Sequence, residues 1–185
     1  MKVLFVTAGD QTQASSRFRV YELLPHLEEA GISTDSLAVP RYDSSVEGFF
    51  KKFLFALRVL FGAVSNDVVY VQKVRFPPLF PRLLSQLPAK LICDFDDAIY
   101  LAPPGESADA GAVEKLNTLI ECSDLTVAAS WPLVQYAHQY TDEVRCLHTG
   151  IPREKYRRHR DVDVLDDSVL LGWIGNPENL HYLAD

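Results

Sequence analysis

The chain has 185 residues, enough for one compact domain and little more. Hydrophobic residues make up 48% and charged residues 23%, which excludes a disordered or fibrous chain and suits a globular one. The net charge of −7 argues against a general nucleic-acid binder.

The charge is uneven. Residues 1–92 carry eleven basic and eight acidic side chains (net +3), and residues 93–185 carry seven and seventeen (net −10). Any attraction to anionic surfaces should therefore come from the first half. Cys93, Cys122 and Cys146 lie far apart, with no CxxC pair and no nearby histidine cluster. That points away from a zinc site or a disulfide scaffold and toward a reducing, cytoplasmic compartment. The apolar run in MKVLFVT is too short for a signal peptide. No stretch approaches the roughly 18–20 apolar residues that a spanning helix needs.

In chain order the pattern begins with Lys2–Thr7, a continuous apolar run expected of a parallel strand covered on both faces. A polar loop, Ala8–Ser15, follows. Phe18, Val20, Leu23, Leu24, Leu27 and Ala30 then recur at helical spacing, and Gly31 is placed to end that helix with a positive φ. Ile32–Val39 is predicted as the second strand, stopped by Pro40. The spacing predicts a helix over Glu47–Val64, a strand over Asp67–Gln72, a short Pro-rich helix over Phe76–Leu87 and a strand over Lys90–Phe95. A helix over Ala108–Cys122, a strand over Leu125–Ala129, a helix over Ser130–Tyr140 and a strand over Glu143–Leu147 complete the rhythm. Ser130 is a candidate N-cap, with Pro132 in the first turn. Alternating strands and helices with short links predict an α/β fold with a parallel sheet flanked by helices.

Ligands of such sheets bind beyond the carboxyl ends of the strands, near the switch in strand order. This rule selects three loops: Ala8–Arg17, Phe95–Pro104 and His148–Pro152. After Pro152 the rhythm changes. REKYRRHR is basic, DVDVLDD is acidic, and Val169–Ile174 followed by Gly175-Asn176-Pro177 opens a further α/β unit. The expected organisation is a domain over 1–152, a linker over 153–168 and the first elements of a second domain over 169–185.

Three strings could carry chemistry. The first loop, AGDQTQASSRFRV, has one glycine and neither the GxGxxG nor the GxxxxGK[ST] phosphate fingerprint. It offers Gly9, then Ser15, Ser16, Arg17 and Arg19 at a helix start, where backbone N–H groups and an arginine favour an anion. The bland reading is a capped helix with two solvated arginines. The second string is LICDFDDAIY, with three aspartates at a strand end. Such close like charges need a cation or donor between them. Asp94 and Asp96 form a DxD of the kind that holds a divalent metal in some sugar transferases. The string also resembles the first motif of haloacid-dehalogenase phosphatases, with Asp94 as nucleophile, although Ala98 stands where that motif expects Thr or Val. The structural alternative pairs one aspartate with Arg17 or Arg19. The third string, LHTGIPREKY, places His148 and Gly150 just after a strand, where His148 could donate to a phosphate or sugar.

The helix over 49–64 holds five phenylalanines with Lys51, Lys52 and Arg58. It reads either as a core helix with solvated cations or as a basic amphipathic helix in peripheral contact with an anionic membrane.

Together these segments resemble the group 1 (family 4) glycosyltransferases of the GT-B fold. The resemblance lies in KVLFVTAGDQTQASSRFRVYELLPHLEEAGI, DVVYVQKVRFPP, KLICDFDDAIY, SDLTVAAS, HTGIPREKY and VLLGWIGNPENLHYL. It implies the N-terminal, acceptor-side, Rossmann-like half of a two-domain enzyme. Such an enzyme moves a sugar, with retention, from a nucleotide-sugar donor to a glycan or glycolipid acceptor in polysaccharide synthesis, without metal or other cofactor. Under the resemblance, Gly9, Ser16, Arg17 and Arg19 match donor-phosphate positions, and Gly175 and Asn176 match the donor-domain turn. Asp96, Asp97, His148 and Gly150 flank the acceptor cleft. The double glycine of many members is absent from the first loop, and the acidic donor-binding segment does not occur before Asp185. The expectation is that residues 1–185 alone transfer no sugar. A carbohydrate- or nucleotide-binding module without catalysis is the alternative.

Overall fold

The structure, a computed structural model, describes residues 1–40, 45–101, 109–152 and 172. The chain divides into two compact units, 1–152 and 153–185, and the described elements all belong to the first. The expected linker lies outside the described residues, as does the strand over Val169–Ile174 apart from Gly172.

Six strands form one parallel sheet: β1 (Lys2–Thr7), β2 (Ser33–Ala38), β3 (Val68–Gln72), β4 (Lys90–Phe95), β5 (Leu125–Ala128) and β6 (Val144–Cys146). Their order is β2-β1-β3-β4-β5-β6. The chain leaves β1 for one neighbour, β2, and then crosses back to β3 on the other side. The switch point therefore lies between β1 and β3, and the fold is Rossmann-like α/β.

The reversal also divides the helices between the two faces, because right-handed crossovers that run in opposite directions cover opposite faces. The larger core joins Leu4, Val6, Val71, Leu91 and Phe95 to four helices: α3 (Val46–Ser65), α4 (Leu79–Leu84), α5 (Ala110–Cys122) and α6 (Trp131–Ala137). The smaller core joins Val3 and Phe5 to Val20, Leu24 and Leu27 on the segment between β1 and β2. Gly62 lets α3 press on β1, since a Cβ there would lie 2.2 Å from Leu4 Cδ2.

The element between β1 and β2 is not the single helix that the periodicity predicts. It comprises α1 (Ala14–Ser16), a π-helical turn over Arg17–Tyr21 and α2 (Leu24–Glu29). Pro25 is the cause. It has no N–H to give to the turn before it, and its ring excludes a straight α-helix there. The wide turn, closed by Glu22 N–H to Arg17 O at 2.9 Å, buries the consecutive residues Arg19 and Val20 together. Gly31 ends the segment at φ +80°. The Pro-rich helix is also shorter than the apolar spacing predicts, Leu79–Leu84 rather than Phe76–Leu87. Ser130 occupies the N-cap position of α6, but its side chain makes no capping bond.

Asp124 ties the start of β4 to the turn before β5. Its carboxylate accepts Lys90 Nζ at 2.6 Å and Leu91 N–H at 2.9 Å. Burial pushes this carboxyl up, but the bonds from Lys90 and Leu91 outweigh it and leave the group below the ordinary aspartate range. A lowered folded-state pKa gives stability that is complete above the unfolded value, about 3.9, and is lost as pH falls through the folded value. Asp124→Ala is therefore expected to cost about 0.5–1 kcal/mol at neutral pH, since the side chain is part-exposed and screened. In urea titrations the difference from the parent chain should shrink below the carboxylate range. A pH-independent difference would assign the loss to packing.

Candidate functional site

The site begins with the alternation of the sheet. Lateral register pairs Thr7 with Gln72 and Gln72 with Asp94. Three polar residues therefore form a row across β1, β3 and β4 at their carboxyl ends. Their side chains bond to the stretch from Ser15 to Tyr21, Thr7 to Tyr21, Gln72 to Ser15 and Ser16, and Asp94 to Arg19, and all three residues are fully buried. One step earlier on the same face, Phe5 and Tyr70 pack with ring centroids 5.2 Å apart. The face thus changes from apolar to polar at its last row, at the switch point.

Asp94 is held by Arg19. The Arg19 Nε donates to Asp94 Oδ2 at 2.8 Å and to Oδ1 at 3.1 Å, and Nη2 also pairs with Oδ1. Nη1 donates to Leu147 O and to Thr149 Oγ1, both at 3.0 Å. Four of the five guanidinium N–H groups are engaged, and the side chain is 2% exposed. Burial pushes the Asp94 carboxyl up against the pull of Arg19. Burial and the neighbouring Asp94 charge push the Tyr70 hydroxyl far up, so it stays protonated.

These facts decide between several readings of the sequence. The structural reading of the aspartates is the one present: Asp94 pairs with Arg19. Arg19 is a tie between the first helical segment, β4 and the exit of β6, and it does not face a donor phosphate. Asp94 is sealed from solvent and presents no nucleophile, which removes the phosphatase reading. Asp94 and Asp96 do not converge as a DxD, because Asp94 is turned to Arg19 while Asp96 is held elsewhere. Among the described residues no group of three His, Cys, Asp or Glu side chains is placed to hold a metal.

A second, directed set of bonds runs to Asp96. Gly9 N–H reaches Ser16 Oγ at 3.3 Å, Ser16 Oγ donates to Gln72 Oε1 at 2.9 Å, and Gln72 Nε2 donates to Ser15 Oγ at 2.8 Å. Ser15 Oγ then donates to Asp96 Oδ2 at 2.6 Å. Each link fixes the donor sense of the next, and the run ends on a carboxylate that only accepts. Asp96 Oδ1 lies 3.4 Å from Lys73 Nζ, which also pairs with Asp97. Lys73 is held at φ 58°, the only positive φ among described non-glycine residues. A left-handed lysine costs about 1–2 kcal/mol and marks a position that its surroundings hold in place.

The remaining expected residues lie as follows. Ser16 is fully buried inside the bond run rather than facing a ligand. Arg17 is half-buried, with its guanidinium carbon 4.7 Å from the Phe18 ring centroid. The helix start expected to favour an anion is weak in dipole, since α1 spans three residues before the chain widens. Gly9 lies against the Gln13 side chain: a Cβ there would meet Gln13 Oε1, the end of an exposed side chain that can swing aside. His148 Nδ1 lies 2.8 Å from Ala129 O. A carbonyl only accepts, so Nδ1 carries the proton, and in the neutral ring Nε2 is an acceptor rather than a donor. Gly150 is exposed, with open space where a Cβ would stand. Gly175 and Asn176 lie outside the described residues.

The three loops selected by the sheet-end rule meet at one edge. Ser15–Asp96 joins the first to the second, and Arg19–Thr149 joins the first helical segment to the third. Gln72 and Lys73 are the members of this cluster that sequence reasoning passed over. The signal available was a glutamine and a lysine closing the otherwise apolar run DVVYVQK.

The fold and this edge define a Rossmann-like α/β domain with a polar, charged cluster at the switch point. Among solved structures, it is similar to the Anabaena protein Alr3699/HepE in complex with UDP and glucose. The TM-score is 0.57 at 14% identity, over 86% of this chain and 47% of that one. A structure of the same protein in complex with UDP gives a TM-score of 0.53 at 13% identity, over 83% and 45%. The chain thus spans about half the length of the structures it matches. No protein-family model and no curated protein matches it.

Proposed function

We propose that the chain is the acceptor-side half of a glycosyltransferase that uses a nucleotide-sugar donor. The observation that carries this reading is the switch-point cluster of Ser15, Lys73, Asp96 and Asp97 on a fold similar to a protein solved with UDP and glucose. Asp96 would accept a hydrogen bond from an acceptor hydroxyl, and Ser15 and Lys73 would hold its carboxylate in place. Arg17 would supply positive charge against the donor phosphates as the sugar departs. The donor's nucleotide would be gripped by a second α/β domain, of which residues 169–185 would be the beginning and 153–168 the linker. The finer reading is a retaining, group 1-type enzyme at the cytoplasmic side of a membrane, acting on a glycan or glycolipid in polysaccharide synthesis. It requires no metal or organic cofactor.

The test is a sugar-transfer assay with a panel of labelled nucleotide-sugars. Residues 1–185 alone should give no transfer, and the chain joined to a donor-binding half should transfer sugar. Turnover by residues 1–185 alone would contradict this division of labour. In the active form, Arg17→Ala should cost about 2–4 kcal/mol of transition-state stabilisation. Unchanged kcat/KM would remove Arg17 from the reaction.

A further inference from the structure

The long helix α3 buries one stripe only, through Gly48, Phe55, Val59 and Ala63. Of its five phenylalanines, four remain exposed, and Phe49 and Phe53 are 67% and 52% exposed. Leu79 and Leu83 of α4 are exposed beside them. Between these helices and the segment after β3 lies an apolar groove of about 550 Å³, walled by Phe49, Phe53, Phe76, Phe80, Leu79 and Leu83. The charged side chains that line it are Lys52, Arg75 and Lys115, and no carboxylate lines it. Among the described residues, neither Arg75 nor Lys115 forms an ion pair with a carboxylate. The chain as a whole carries −7, so this is a local reversal of sign.

We propose that this groove, with the exposed face of α3 around it, seats the hydrocarbon chain of an anionic bilayer lipid and docks the protein on the membrane surface. The apolar wall matches an acyl chain, and the three cations match a phosphate headgroup at its end. The wall offers few hydrogen-bond partners to a soluble glycan. A second copy paired about a two-fold axis would set the same cations against one another. No helix among the described residues is long and apolar enough to cross a membrane, so the contact is one of lying on the surface. The groove begins at Val74 and Arg75, directly after Lys73, so a docked membrane would lie beside the switch-point cluster. Docking of this kind needs no sugar transfer by the protein.

The test is flotation of the 185-residue chain with vesicles of phosphatidylcholine alone and of phosphatidylcholine mixed with phosphatidylglycerol. The chain should float with the mixed vesicles and not with the neutral ones, and added salt should weaken binding. Phe49→Ser with Phe53→Ser, and separately Arg75→Glu with Lys115→Glu, should each lower the bound fraction about tenfold at an unchanged melting temperature. Equal flotation with neutral vesicles, no flotation with either, or full binding by both double variants would overturn the proposal. So would concentration-dependent dimerisation abolished by the phenylalanine pair. Binding of a monomeric prenyl phosphate without vesicle binding would also overturn it.

Discussion

Arg19→Met is expected to lower the free energy of unfolding by about 3–5 kcal/mol, because it leaves the Asp94 carboxylate buried with its main partner gone. That is a large part of the roughly 5–15 kcal/mol that holds a domain folded. Arg19→Lys should restore only part of the loss. A lysine has a point charge and three donors on one atom, and it cannot both grip Asp94 through two nitrogens and reach Leu147 O and Thr149 Oγ1. The double variant Arg19→Met with Asp94→Leu should recover most of the stability, since neither charge is then stranded. Urea midpoints read all three. If Arg19→Met kept full stability and lost only anion binding, Arg19 would be a ligand residue and its place as a structural tie would fall.

Phe95→Ala is expected to cost a similar amount, about 3–5 kcal/mol, because Phe95 is fully buried where β4 meets the larger core and its removal opens a cavity. Phe53→Ala should change stability far less, by about 0.5 kcal/mol, because its side chain is half exposed on the groove wall and leaves no enclosed cavity. The contrast separates phenylalanines that folding requires from those left on the surface of α3. Similar losses at both positions would show that the exposed face of α3 is covered in solution.

The residues of DFDDAIY show how far composition alone reaches. Three aspartates near a strand end call for cationic partners, and two arginines stand in the first helical segment. The pairing follows only from alternation and register. Asp94 points to the face shared with Gln72 and Thr7, Phe95 points into the opposite core, and Asp96 emerges beyond the edge to meet Ser15 and Lys73. As helix-start cations, Arg17 and Arg19 are equivalent in the sequence. The π-helical turn buries Arg19 and leaves Arg17 half-exposed, and the proline that breaks the helix is visible in the sequence.

The inner strands β1, β3, β4 and β5 and the parallel α/β class were legible in the sequence, because a strand covered on both faces is apolar along most of its length and its run is visible locally, whereas the edge strand β2, STDSLA, carries no such run. The glycine stop at position 31 was legible for a similar reason: a positive φ is a local demand. Which carboxylate is sealed by which arginine, the two-faced division of the core and the apolar groove beside α3 were decided only by tertiary structure. These features join residues as far apart as Arg19 and Thr149, whose contact depends on strand order and register rather than on any local spacing.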